Sequence, residues 1–426
     1  MKFPLIKSVS CAAVLSLVGI IAACGGAQSD KSASGSGTQK EVTLKFLDWN
    51  TQFPEEVHAE MQKAVAKSLP HVKLEFENIV WANFQSLLQT KIAARELPDI
   101  IHFKASDIPL YAKAGHLMDL SSMEFMKQFT DDVRNNLKVD NKDYAVPYTS
   151  NVQGVFYNKK IFQENSIEPP KSWDELMQVA QKLKSKGITP FTAHFKDTQV
   201  GNNTMQFAML DVFSKNPQWG VDLQNGKVSF ATSPEYKTVF EHIKQIYPLT
   251  NEDPFGVDLA GAAEIFANGK TAMFITGTWA PTQVLKNNPN LEIGYFPTPA
   301  VDEKNTKVII QSDHSFSGSA TTKHPEEVKK VLEILATDKT LAKFYADKLK
   351  TFSLLTDVSP EIKNQYADDI AKYRKNGIID VNIGNVQIPW AYQVEYSKYI
   401  AEWIFGQKTI ENALKAADDF KSKVKF

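Results

Sequence analysis

Between Val42 and Phe103 the hydrophobic period of the chain switches repeatedly, and this limits the fold more than any other feature of the sequence. Val42-Thr43-Leu44-Lys45-Phe46-Leu47 alternates apolar and polar residues as a half-buried strand does, and Pro54 to Ser68 follows with Val57, Met61 and Val65 at helical spacing. Val72 to Phe76 reads as a second strand, and Ala82 to Ala94 as a helix carrying Phe84, Leu87, Leu88 and Ile92. Asp99-Ile100-Ile101-His102-Phe103 reads as a short buried strand. Strand, helix, strand, helix, strand predicts an α/β fold around a parallel sheet. In open sheets of this kind ligands bind beyond the carboxyl ends of the strands. That directs attention to Trp49 and Asn50, to Trp81, and to Phe103 through Asp107.

A second unit begins near Pro147. Val155-Phe156-Tyr157 is strand-like. Ser172-Trp173-Asp174-Glu175 opens a helix as a capping box, and Gly187 closes it. Further helices are predicted over Pro234 to Tyr247, Leu259 to Asn268, Pro325 to Ala336, Ser359 to Lys375 and Thr409 to Lys423, with a strand over Thr271 to Ile275. A chain of 426 residues has room for about two domains of roughly 150 residues each. No short repeat of solenoid type is present.

The first residues follow a different logic. Lys2 and Lys7 precede an apolar run from Val9 to Ala23 that ends in Ile21-Ala22-Ala23-Cys24, the pattern of a secretory signal over residues 1–23. Cys24 after Ile-Ala-Ala resembles a bacterial lipobox, in which the thiol is diacylated and becomes the mature N-terminus. The chain has two cysteines, and Cys11 lies in the segment that would be removed, so no structural disulfide is expected. Two acyl chains on Cys24 would supply the two signals that stable membrane anchoring requires. Residues 24–40, rich in Gly and Ser, then form a flexible tether with a reach on the order of 20 Å. The resulting expectation is an exported protein, lipid-anchored on the outer face of a bacterial cell membrane of Gram-positive type.

A net charge of -1 argues against a dedicated nucleic-acid binder, which needs basic surface to displace phosphate counterions. Gly269-Lys270-Thr271 is the tail of a phosphate-loop signature, but Glu264 stands where its first Gly belongs, and the triplet joins a helix to a following strand, the reverse of the required order. The eight His are scattered, and His194 and His314 read as polar lining or surface rather than metal ligands. No metal and no cofactor are expected. Carboxylates are abundant enough to keep a secreted glycoside-active enzyme open as an alternative, because a catalytic pair is recognisable only from its separation in space. The loops at strand ends carry mostly aromatics, amides and hydroxyls. Such groups suit a sugar, aromatic faces covering its C–H faces and polar groups meeting its hydroxyls. Trp173 and Trp403 sit in helical patterns and are assigned to the core.

Several segments in register resemble one family: Leu97-Pro98-Asp99-Ile100-Ile101, Tyr144-Ala145-Val146-Pro147 with Tyr157-Asn158-Lys159, Pro170 to Leu176, Phe266 to Met273 leading to Gly277-Thr278-Trp279, and Gly406 to Leu414. Together they resemble the family 1 extracellular solute-binding proteins, the substrate-binding components of carbohydrate ABC importers. The resemblance implies a two-lobed α/β fold of the periplasmic-binding-protein type (class II), with ligand between the lobes and closure by hinge bending. It places crossings near Pro147 to Gly154, Ile310 to Phe316 and Thr351 to Leu355. The implied lobes are residues 41–149 with 312–352, and 150–311 with 353–426. Trp279 corresponds to a cleft tryptophan that stacks on sugar, and Trp390 lies near another. Asn151 matches a position held by a sugar-contacting carboxylate in maltose binders, and the carboxylate of Asp107 is displaced by one position relative to that subgroup. Trp49, Asn50, Trp81, Phe103, His194, Phe195, Asp313 and Phe316 complete the expected sugar contacts. The expected partners are a carbohydrate, probed by a monomeric receptor, and the membrane subunits of a permease. A non-sugar solute such as a polyol stays open.

Overall fold

The computed structural model describes residues 40–50, 53–129, 133–134, 137–197, 199–349, 351–354 and 365–421. Residues 1–39, which hold Cys24, the expected signal and all but the last residue of the expected tether, lie outside them. The compact unit runs from Glu41 to Phe426.

Its first strands are those the period predicts. β1 (Val42–Asp48) pairs in parallel with β2 (Val72–Asn78), from Val42 opposite Val72 to Asp48 opposite Asn78, and with β3 (Ile100–Phe103), Phe46 lying opposite Ile100. The crossovers are the helices Pro54–Ser68 and Trp81–Ala94. Val57, Met61 and Val65 of the first lock onto Leu44 and Phe46 on one face of the sheet, while Phe84 and Leu88 of the second cover Leu47 and Ile101 on the other. Pro54 at the first helical position needs no N–H partner there, which suits a helix whose cap residue, Phe53, offers no side-chain bond.

A short hairpin of β4 (Lys138–Val139) and β5 (Lys142–Asp143) precedes a long strand, β6 (Val146–Asn158). β7 (Thr189–Thr192) runs parallel to β8 (Thr271–Gly277), and β8 and β9 (Ile293–Phe296) both pair antiparallel to the second half of β6. β10 (Val308–Gly318) is the other long strand. Its end pairs antiparallel with β3, and along its length it pairs antiparallel with β6. β11 (Phe352–Ser353) adds to β6 at Ser150 and Thr149, and β12 (Ile378–Asp380) adds in parallel to the start of β10. The main path through the sheet is β2-β1-β3-β10-β6-β8-β7.

The sheet is therefore mixed. Its parallel part matches the expectation from β1 to β3, whereas the antiparallel pairing of β6 with β10 joins two α/β lobes through their shared strands. The β6–β10 register shifts between Gln311 and His314 and again between His314 and Ser315, an irregularity that bends a strand locally.

The helix Trp173–Ser185 shows a small departure from expectation. Ser172 caps it by accepting from the Glu175 N–H at 3.3 Å, but the Glu175 carboxylate takes the N–H of Lys171, at 2.8 Å, rather than that of Ser172. Gly187, at φ 76°, provides the left-handed turn that follows. Trp173 and Trp403 are buried in the core of this lobe, as assigned. The predicted helix ends shift by a few residues: Leu259–Ala267, Pro325–Thr337 and Ile410–Phe420 are observed, and Ala367–Arg374 is the described part of the segment predicted over Ser359 to Lys375.

Candidate functional site

The end of β1 delivers Asp48, which is 1% exposed, and the chain leaves the sheet at Trp49 and Asn50. Two imidazoles grip the Asp48 carboxylate: His102 Nδ1 from β3 lies 2.6 Å from Oδ1, and His58 Nε2 from the first helix lies 2.7 Å from Oδ2. The Asn50 N–H also donates to Oδ1 at 2.9 Å. Burial alone pushes this carboxyl up; the hydrogen bonds from His102, from His58 and from the Asn50 N–H outweigh it and hold the group well below the usual carboxylate range.

From His102 the contacts pass to the irregular stretch of β10. His102 Nε2 is 3.1 Å from His314 Nδ1, and the Tyr148 hydroxyl of β6 lies 3.4 Å from each of these nitrogens. His314 Nε2 is 3.3 Å from Asn151 Nδ2, and the Asn151 Oδ1 accepts from the Thr278 hydroxyl at 2.9 Å. Burial first, then His102 and Lys104, push the His314 ring well below its ordinary value against the pull of Asp48.

An aromatic surface lies against this polar line. Trp49 stacks on both imidazoles, with centroids 4.5 Å from His102 and 4.9 Å from His314, and meets Trp81 edge-on at 5.2 Å. The Lys104 ammonium, just past β3, stands 4.2 Å from the Trp81 ring centroid and 5.5 Å from those of Trp49 and Trp390. Trp390 opens the helix Trp390–Ile404, near the far end of the chain. The Trp49 Nε1–H is buried and finds no hydrogen-bond partner among the described residues, a donor with unmet capacity. Trp279 opens the helix Trp279–Asn287 and folds its indole back over Gly277, where an added Cβ would come within 2.0 Å of a ring atom.

The structure thus brings together Trp49, Trp81 and Trp390 around Lys104. It joins Asn151 to them through His314, and Asn151 in turn accepts from Thr278, the residue before Trp279. Asn50 is buried and accepts at its carbonyl from Asn78 Nδ2, 2.7 Å away. Asp107 Oδ2 accepts from Gln85 Nε2 at 2.9 Å, in a turn (Ala105–Asp107) that packs on the helix Asn382–Gln387.

Other expected contacts fall elsewhere. Phe103 is fully buried against Phe84 and Tyr111, and Phe316 against Phe46 and Tyr148. Their rings fill core on alternate sides of the sheet. His194 and Phe195 follow β7 and pack within their own lobe, His194 on Asp197 at 2.5 Å and edge-on to Phe274, Phe195 against Phe255. Asp313 lies in β10, and its side chain is outside the described residues. Sequence reasoning missed Asp48, His58, His102, Tyr148 and Thr278, while Lys104 lies inside the stretch Phe103 through Asp107 to which it pointed. A histidine inside the otherwise apolar run Ile100-Ile101-His102-Phe103 was the available signal for one of them. Among the described residues no group of three His, Cys, Asp or Glu is placed to hold a metal ion. What the arrangement offers is stacking surface plus amide, indole and imidazole hydrogen-bonding groups.

Comparison with known proteins places this geometry. The family model for bacterial extracellular solute-binding proteins matches residues 50–342. The multiple sugar-binding protein of Streptococcus mutans is 25% identical over 350 residues, covering 78% of this chain and 80% of its own. The diacetylchitobiose binding protein DasA of Streptomyces coelicolor is 27% identical over 348 residues, 78% of each chain. Among solved structures, the solute-binding protein RafE in complex with raffinose superposes with a TM-score of 0.74 at 23% identity, over 90% of this chain and 99% of that one. By the span of that family match and the shared two-lobed fold, the chain belongs to the bacterial extracellular solute-binding protein family.

Proposed function

We propose that the protein captures a sugar, of oligosaccharide class, between its lobes and presents it to the membrane subunits of an ABC importer. The observation that carries this reading is the meeting of Trp49 and Trp81 with Trp390 around one point, beside the Asn151–His314 line. Trp49 and Trp81 belong to the lobe taken as residues 41–149 with 312–352, and Trp390 to the lobe taken as 150–311 with 353–426. A pyranose has two C–H faces and a rim of hydroxyls, so a cleft with aromatic walls on both sides and amides between matches its shape and polarity. The relatives fit this reading, since one is named for multiple sugars and another for diacetylchitobiose.

Binding energy gained only when both lobes touch the solute would favour the closed form and shift the population of an open–closed equilibrium. The receptor works as a monomer and leaves its ligand chemically unchanged. Cys24 carries the lipid that anchors the chain at the outer membrane face. A thermal-shift screen over sugars and polyols that includes raffinose and diacetylchitobiose tests the reading. A true ligand at 100 times its Kd adds about 2.7 kcal/mol of stability. Stabilisation by polyols alone would move the ligand class, and new reducing ends after incubation with oligosaccharides would make the protein a hydrolase.

A further inference from the structure

The polar line through the cleft has a direction. At one end the backbone N–H of Val152, which can only donate, lies 3.4 Å from Thr278 Oγ1. At the other end the Asp48 carboxylate, which can only accept, takes His102 Nδ1 at 2.6 Å. Between them stand a hydroxyl, an amide and two imidazoles, each able to accept on one side and donate on the other. With both ends fixed and both rings neutral, a single assignment satisfies every contact. The Thr278 hydroxyl donates to Asn151 Oδ1, Asn151 Nδ2–H to His314 Nε2, His314 Nδ1–H to His102 Nε2, and His102 Nδ1–H to Asp48.

We propose that Asp48 and His102 are positioning residues of the cleft, which act through His314 to hold the Asn151 amide with its nitrogen toward β10. Given the reading that a solute occupies the cleft beside Asn151, the second N–H of that amide makes this position a donor toward a solute oxygen. Reversing the line needs one extra proton on the histidine pair: His102 Nε2–H would then donate to His314 Nδ1, His314 Nε2–H to Asn151 Oδ1, and the turned amide to Thr278. The proton count of two buried imidazoles thus sets which end of Asn151 faces His314. Other titratable groups face the line and belong to its balance: His58 on the second oxygen of Asp48, the Tyr148 hydroxyl between the two rings, Lys104 near His314, and Tyr345 near Asp48.

Nitrogen NMR of histidine-labelled, sugar-free protein reads the tautomers directly, so its outcome does not depend on which solute binds. At pH 8 the expected result is an Nδ1–H tautomer at both His102 and His314. In Asn151→Asp the carboxylate can only accept, so His314 must carry its proton on Nε2, and the pair should keep an added proton to higher pH than in the parent protein. In Asp48→Asn the fixed acceptor is lost, and an Nε2–H form of His102 should appear. An Nε2–H tautomer at His314 in the parent protein at pH 8, or unchanged tautomers in Asn151→Asp, would overturn the proposal. If Asp48→Asn does not fold, the parent protein and Asn151→Asp still decide it.

Discussion

The Lys104 ammonium lies over the ring of Trp81, 4.2 Å from its centroid, while the Trp390 ring approaches the same nitrogen from the far end of the chain at 5.5 Å. One side chain therefore meets aromatic rings from widely separated segments of the chain. Cation–π contacts of this exposure contribute about 0.5–1 kcal/mol each. Lys104→Ala is expected to lower the stability of the sugar-free protein by about 1 kcal/mol in denaturant unfolding; equal or higher stability would show that these contacts hold nothing together.

Trp279 is expected to act as a stacking anchor. Trp279→Ala should weaken sugar binding by at least about 2 kcal/mol, the loss typical of a central aromatic anchor, with the fold retained. Calorimetry with a sugar identified by the screen checks this, and unchanged affinity would remove Trp279 from the site.

The absence of a side chain at Gly277 is what lets that indole lie where it does, as an added Cβ would meet the ring at 2.0 Å. Gly277→Ala should cost about 1–3 kcal/mol, the usual range for overpacking. In the Trp279→Ala background the same substitution should cost much less, since the clashing ring is gone. Additive losses in this double-mutant cycle would refute the contact as the cause.

Stability should also depend on pH through two buried groups with opposite signs. Burial lowers the His242 ring, stacked on Trp173 at 3.6 Å, to about 3. The unfolded chain therefore binds more protons below about pH 6.5, and stability falls as pH drops from there toward 3, by up to about 1.4 kcal/mol per pH unit. Asp211 runs the other way: burial raises it to about 6, so the folded protein binds more protons between about pH 4 and 6, and stability rises as pH falls through that window. His242→Phe should retain the stacking and flatten the first slope, and Asp211→Asn should stabilise the protein at pH 7 and remove the second. Unfolding midpoints at pH 7 and 5 for the two variants separate the effects.

Cys24→Ala should release the protein from membranes. Cell fractionation reads this directly, and a variant that still sediments with membranes would show that something other than a lipid on Cys24 holds it.

Local periodicity made β1, β2 and β3 and the two helices between them readable because each has one buried face and one wet or differently packed face, so Val57, Met61 and Val65 recur as a helix requires. The long strands were harder. β6 is buried along almost all of its length and mixes Thr149, Ser150, Asn151 and Gln153 with apolar residues, so no alternation marks its extent or its antiparallel partner. Trp49, Trp81, Trp390 and Asn151 are candidates from loop position and family resemblance, yet they come from distant parts of the chain and only tertiary pairing assembles them. Phe103 and Phe316 show the limit from the other side. Both sit near strand ends in the sequence, but the strand's alternation turns their rings into the core.

The pairing of β6 with β10 also has a mechanical meaning. The two strands are bonded to each other on either side of the register shifts at His314. Such a ribbon can twist or flex where its ladder is interrupted, but sliding one lobe past the other would break the bonded pairs on both sides at once. Any relative motion of the parts these strands join is therefore expected to take the form of bending about that interruption, with His314 in it, rather than of shear.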